Sequence, residues 1–325
     1  METSISHLIH KISEQKYEQF GSLLKNNMTD NFNLHSFKNE LICDYIKQFA
    51  KEIFAEEIHS MIGLLNKIEV GIAVVDVPQT TLFDESENTV IGAAVVMGIF
   101  NHIGIANLDP INQLPFMVHT ASHSNERKID SKGLQKPSPE LKLGFHNDGL
   151  LSTNKIEIPE CIMVYNFYIS YRKPGNFMWI PTVLWEEGEK YEALAKEKDV
   201  RVKIKLNPNY HFDEKGDIVN TIFDYVEAPI SKVSKFGERR FFLNGQVLLE
   251  DNLQEHVDFV QSIRDSLEKN TQKICIPQCE RRAFYIKNTL GFHARNIFEE
   301  PIEGVDLTRV YLRAVDTNAE LYSSI

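Results

Sequence analysis

The chain is short of cysteine, of tryptophan and of long apolar runs, with 4 Cys and 2 Trp in 325 residues. Cys43, Cys161, Cys275 and Cys279 are too few and too scattered for the disulfide framework of a secreted domain. Cys275 and Cys279 have a C-x3-C spacing, but no second Cys or His pair sits nearby to complete the four ligands of a structural zinc. No stretch nears the roughly 18 apolar residues that a membrane span requires. The opening METSISHLIH has no basic region followed by an apolar core, so no secretory signal is evident and a cytoplasmic location is expected. Positive charge is scarce too: 35 Lys and Arg against 46 Asp and Glu give a formal net charge of −11. That balance argues against nucleic acid, whose binders carry a basic stripe, and is compatible with a cationic or zwitterionic substrate. The glycines match no phosphate loop, and no Ser or Cys sits in a nucleophile elbow.

What is present belongs to a globular chain, with 42% hydrophobic and 25% charged residues, and it is long enough to bury a core without covalent staples. Residues 4–27 and 34–68 read as helices; in the second, Phe37, Leu41, Ile42, Tyr45, Ile46, Phe49, Ile53 and Phe54 recur at helical spacing. Val70 to Val77 is a short, β-branched run that reads as a buried strand, and Asn88 to Ile103 as a further helix. From about residue 115 short segments rich in Val, Ile, Phe and Tyr alternate with turn chemistry. They are Phe116–Ala121, Leu141–His146, Ile162–Ser170, Phe177–Val183, Arg201–Leu206, Arg239–Leu243 and Ala283–Ile286. Helical patterns at Leu184–Lys198 and Asn252–Lys269 interrupt them. The expectation is an α+β chain of one domain, 1–325. A mainly helical front end, 1–110, would support a double-sheet jelly-roll core, 111–325, with inserted helices packed outside. The polar stretch Ser124–Glu140 reads as a lid or as an ordinary exposed connection.

The chemistry begins at His146-Asn147-Asp148. On a strand, side chains repeat every two residues, so His146 and Asp148 would share one face while Asn147 points away. One H-x-D is weak evidence; its weight comes from His293 far downstream and then Arg309 and Arg313. Two imidazoles and one carboxylate can bind one face of a metal and leave the other open, which is the donor set of non-haem Fe(II) oxygen chemistry. Arg309 and Arg313 offer planar forks for carboxylates. On a straight strand they lie on one side, about 13 Å apart. His119 and His123 have an i, i+4 spacing, but Phe116-Met117-Val118 suggests a strand, where that spacing serves a metal poorly.

With Asn288, His293-Ala294-Arg295 and Arg309-x3-Arg313 added to His146-x-Asp148, the chain resembles the Fe(II)/2-oxoglutarate-dependent oxygenases, in particular the clavaminate-synthase-like group that hydroxylates free amino acids. The matches lie between residues 141 and 315. The resemblance implies a double-stranded β-helix with His146, Asp148 and His293 as iron ligands, and with 2-oxoglutarate and O2 as cosubstrates. It further implies Arg309 on the distal carboxylate of 2-oxoglutarate and Arg313 on the carboxylate of the substrate. Lys287 and Ala294 stand where relatives often have Asp and Gly. Phe177 falls where many relatives place a Thr that assists the cosubstrate, leaving Thr182 or another partner of Arg309 to take its place. A carboxylate at Asp148, where halogenating relatives have a small residue, points to hydroxylation. The arrangement looks most like the bacterial L-lysine 4-hydroxylases, which implies L-lysine hydroxylated at C4, with Asp224 and Asn244 as candidates for holding its side chain. Arginine, ornithine and asparagine stay open as substrates, as does a homo-oligomeric state. The rivals are a jelly-roll binding protein without turnover and a zinc hydrolase using the same three ligands.

Overall fold

The computed structural model describes residues 5–28, 32–109, 112–124, 138–152, 155–205, 211–212, 218–219, 225–233, 239–243 and 252–324. The front end breaks its expected long helices into shorter pieces. Residues 4–27 become a 3-10 turn Ile5–Leu8, a strand β1 Ile9–Lys11 and a helix α1 Glu14–Asn27, started by the Ser13 side chain accepting from Lys16 N. Residues 34–68 become a 3-10 turn Leu34–Lys38, then α2 Glu40–Ile53 and α3 Ala55–Leu65. The break falls at Phe54, which leaves helical geometry (φ −110°, ψ 24°) and is fully buried against Phe20 at 5.2 Å between ring centroids. One straight helix could not keep both of its halves on the curved core; a break at a buried aromatic lets each half bury its own apolar stripe. After strand β2, Ile72–Asp76, helix α4 starts at Glu85 rather than Asn88, because Asp84 and Glu87 close a reciprocal capping box.

The later strands that position the site are β3 Met117–Ser122, β4 Leu143–His146, β5 Ile162–Ile169 and β6 Asn176–Pro181, followed by β7 Ile274–Pro277, β8 Arg282–Ile286, β9 Gly291–Arg295 and β10 Leu307–Val315. They form two sheets, a six-stranded one in the order β1-β2-β8-β5-β10-β3 and a four-stranded one in the order β7-β6-β9-β4. The chain is therefore α+β. The sheets meet through stacked rings, Phe177 of β6 on Phe284 of β8 at 4.5 Å. Strands β1 and β2 pair in parallel, and β2 pairs antiparallel with β8. The front end thus supplies two strands of the larger sheet rather than only an outer support, and one apolar cluster runs from Leu8 to Ala314. A second cluster gathers α5 Gly188–Glu197 and α6 Gln254–Lys269 around Trp185 and Phe292, behind the four-stranded sheet. Among the described residues no helix is long and apolar enough to cross a membrane.

Helix α4 (Glu85–Ile103) is buried along most of its length and meets α2 where a side chain would not fit: a Cβ on Gly98 would lie 2.7 Å from Ala50 Cβ and 3.1 Å from Ile46 O. Gly98→Leu should therefore destabilise the fold by about 1–3 kcal/mol through overpacking. Gly63 of α3 has open space around it, so Gly63→Ala should stabilise by up to about 1 kcal/mol through helix propensity. Thermal unfolding of the two variants checks both signs.

Candidate metal centre

The two histidines meet because of strand register. Antiparallel pairing of β9 with β4 sets His293 directly opposite His146, and the rings lie 4.1 Å apart between centroids. Asp148 arrives by another route than the expected strand alternation, since β4 ends at His146. Its backbone is clamped instead by Asn288, which is fully buried: Asp148 N donates to Asn288 Oδ1 at 3.0 Å, and Asn288 Nδ2 donates to Asp148 O at 2.9 Å. Asn147, also past the end of β4, turns its side chain to other partners. Its side chain bonds Phe241 O at 2.6 Å and Leu243 N at 2.9 Å, fastening the ligand loop to residues 241–243. One ligand atom each from His146, Asp148 and His293 lies within 4.8 Å of the others, the one such cluster among the described residues.

The donor set fits a metal ion. His146 Nδ1 lies 2.8 Å from Gly144 O, which leaves Nε2 to face Asp148 Oδ1 at 3.7 Å. His293 Nδ1 is buried with no hydrogen-bond partner among the described residues, an orphaned nitrogen inside a ligand cluster. Burial lowers the pKa of both rings. That of His293 falls to about 3, with the neighbouring His146 adding to the effect, so both are neutral ligands at ordinary pH. Burial alone would raise the pKa of Asp148, but the Arg313 guanidinium, with the two imidazoles adding, holds it well below the usual carboxylate range. Arg313 Nη2 and Nε reach Asp148 Oδ2 at 2.6 and 3.2 Å. The carboxylate thus divides its oxygens, Oδ1 toward the histidines and Oδ2 toward Arg313.

Arg309, on the same face of β10, is held differently. It is buried, its Nε and Nη2 donate to Asn166 Oδ1 at 3.1 and 2.7 Å, and Nη2 also reaches Gln278 Oε1 at 3.3 Å. Its guanidinium lies 4.2 Å from the Tyr311 ring centroid and 5.3 Å from that of Phe298. No carboxylate among the described residues forms an ion pair with it, and burial lowers its pKa to about 10. A buried cation held only by neutral groups is a seat for an anion.

The structure brings together His146, Asp148, His293 and Arg313, with Arg309 further along β10. It puts Thr182 at the end of β6 away from the partners of Arg309. Arg309 bonds Gln278, next to Pro277, which pairs with Asn176 at the start of β6, whereas Thr182 follows Pro181 at the opposite end, roughly 16 Å from Phe177 along the strand. Asn166 and Gln278 are the groups that meet Arg309. Phe177 instead stacks on His293 at 5.9 Å. Arg313, expected on a substrate carboxylate, spends two of its donors on Asp148. Asp224 and Asn244 lie outside the described residues, as does most of the stretch 124–140. His119 stacks on Tyr311 at 4.8 Å and joins no metal cluster among the described residues. Sequence reasoning missed Asn166, and it missed the role of Arg295, whose guanidinium donates to the carbonyls of Ser138, Pro139 and Leu141 and ties the approach to β4 onto β9. Arg295 was visible two positions after His293; Asn166 carried no signal.

No protein-family model and no curated protein matches the chain. Solved structures do. An asparagine oxygenase in complex with Fe(II), 2S,3S-3-hydroxyasparagine and succinate aligns with a TM-score of 0.61 at 11% identity, over 95% of this chain and 93% of that one. The non-heme iron oxygenase OrfP with Fe and L-canavanine aligns with a TM-score of 0.57 at 11% identity, over 95% and 93% of the two chains. OrfP with Fe and alpha-ketoglutaric acid gives 0.59 at 11% identity over the same shares. Nearly the whole chain has the fold of these proteins.

The buried imidazoles set a pH dependence for the metal-free protein. Their pKa values are lower folded than unfolded, that of His293 falling to about 3, so as pH drops below the unfolded value of 6.5 and through that window the unfolded chain binds more protons. Their contribution to stability is therefore lost as pH falls through that window and is flat above it. Thermal unfolding of metal-free protein should show Tm dropping below about pH 6.5, with a shallower drop in His293→Gln.

Proposed function

We propose that this protein is an Fe(II)- and 2-oxoglutarate-dependent hydroxylase of a free amino acid, built on a double-stranded β-helix within one domain. The observation that carries the reading is the pair of arginines on β10. Arg313 is neutralised by the Asp148 carboxylate, whereas Arg309, the more buried of the two, has no counter-ion among the described residues. A protein that needed only a structural metal, or a zinc-bound hydroxide, has no use for the second. The fold of the asparagine oxygenase and of OrfP supports the same class.

His146 Nε2, Asp148 and His293 would hold the ion. When bound, Fe(II) supplies oxygen activation coupled to the conversion of 2-oxoglutarate to succinate. The chain's own residues do the rest. Arg309 takes the distal carboxylate of 2-oxoglutarate in a charge-assisted pair. Arg313 fixes Asp148 with two donors and turns its remaining edge to the substrate carboxylate. Phe177, stacked between His293 and Phe284, walls the site and excludes water on that side. Positioning one C–H bond against the metal is where the protein contributes to the rate.

The substrate we favour is L-lysine, hydroxylated at C4. The net charge of −11 suits a cationic substrate, the motif arrangement is similar to that of the lysine 4-hydroxylases, and Asp224 and Asn244 are the groups assigned to the side-chain ammonium. Arginine, ornithine and asparagine are the alternatives; the solved structures carry hydroxyasparagine in one case and L-canavanine in the other. The protein acts on a small molecule, without nucleic acid or membrane, in the cytoplasm.

With Fe(II), 2-oxoglutarate, O2 and a panel of free amino acids, lysine should stimulate succinate formation and gain one oxygen. A chelator should abolish turnover and added Fe(II) restore it, while Asp148→Ala stays inactive. Arg309→Met should raise the KM for 2-oxoglutarate by about 10- to 100-fold, the loss of a charge-assisted contact. Turnover with arginine or asparagine but not lysine keeps the enzyme class and replaces the substrate. Silence across the whole panel, with no succinate in any reaction, overturns the class.

A further inference from the structure

The environment of Arg309 poses a question that anion binding alone does not answer: what holds a buried guanidinium in place without neutralising it. Asn166, with no exposed surface, accepts from both Nε and Nη2 of Arg309 through one oxygen, at 3.1 and 2.7 Å. The second acceptor, Gln278 Oε1 at 3.3 Å, is an amide as well. Asn166 is itself immobilised. Its Nδ2 donates to Cys279 O at 3.4 Å, and its backbone carbonyl accepts from Arg281 N at 2.7 Å. The register of β5 on β10 pairs Tyr168 with Val310 and Asn166 with Tyr311, skipping Phe167. Such a bulge adds local twist and re-aims the flanking side chains, and it lies between Asn166 and Ile169, the partner of Arg309.

A carboxylate in place of this amide would have the same shape and make the stronger bond to a guanidinium. It would also cancel the charge on which any incoming anion depends. We propose that Asn166 is a positioning residue that reserves Arg309 for a dicarboxylate ligand, fixing the fork with a neutral acceptor and leaving its charge unspent. The contrast with Arg313 is internal to the site: on the same strand face, one arginine meets a carboxylate and is spent as a brace, and the other meets an amide and stays available. The inference rests on the reading of Arg309 as the cosubstrate's partner.

The test compares Asn166→Asp with Asn166→Ala by two readouts on the Fe(II)-loaded protein under anaerobic conditions, the calorimetric affinity for 2-oxoglutarate and the Tm without it. Asp supplies a counter-charge to Arg309, whereas Ala leaves the guanidinium with fewer partners. The expected orders cross. Asn166→Asp should have the higher Tm of the two and the weaker 2-oxoglutarate binding, by about 10- to 100-fold relative to wild type; Asn166→Ala should have the lower Tm and the milder loss of affinity. A merely structural asparagine gives the same order in both readouts, and that result overturns the proposal. Wild type that binds 2-oxoglutarate, together with an Asp variant that binds it equally well, overturns the role of Asn166 and leaves the cosubstrate reading standing. Wild type that binds none removes the cosubstrate reading. The Tm order then decides by itself: Asp above Ala retains a charge held in reserve for another anion, and Asp below Ala overturns it.

Discussion

The contact between Arg313 and Asp148 ties the larger sheet to the segment that follows β4 of the smaller one, and the site is organised around its electrostatics. Asp148 follows β4 of the smaller sheet and Arg313 lies in β10 of the larger one, with 2.6 Å between Nη2 and Oδ2. Neither group tolerates burial alone, because an unpaired ion in a low-dielectric interior costs several kcal/mol. Paired, they leave a carboxylate ionised at any ordinary pH, with one oxygen committed to the arginine and the other free to ligate. The imidazoles beside it are driven neutral by the same burial. The site therefore presents two neutral nitrogens and one anionic oxygen without any adjustment of protonation.

Around that contact, amide side chains do the aligning. Asn288 grips the backbone of Asp148, Asn147 ties the ligand loop to residues 241–243, and Asn166 steadies Arg309. All three are buried. An amide carries both a donor and an acceptor and no charge, so it can fix a neighbour without altering the electrostatic balance that sets ligand protonation and anion binding.

The spacing of His146, Asp148, His293, Arg309 and Arg313 was legible in the sequence because ligand chemistry restricts residue type so strongly. The apolar runs that became β2, β5, β6 and β8, β-branched in the first and richer in aromatics in the later ones, were legible as well, since burial on a sheet selects them. Boundaries were less so. Phe54 carries the same apolar signal as its neighbours, and only the curvature of the core makes it a helix break. Ile9–Lys11 is too short to show a strand period, and it is a strand because β2 offers an open edge. Thr182 is close in sequence to Phe177, where relatives carry a threonine. The direction of β6 puts it at the other end of the sheet.

By itself the sequence determined the kinds of groups available: two histidines and an aspartate at ligand spacing, two arginines one strand face apart, too few cysteines for staples, and an acidic balance. These are matters of residue identity and short-range period, which pairing elsewhere in the chain does not alter. Only the tertiary structure decided which group meets which. His146 faces His293 through a register set across 147 residues (293 − 146), and Asn288 reaches Asp148 across 140. The two arginines, alike in sequence, diverge because one lies opposite a carboxylate of the other sheet and the other lies beside an amide on the neighbouring strand. Charge in a protein interior is defined by its partners, and partners are a property of the fold.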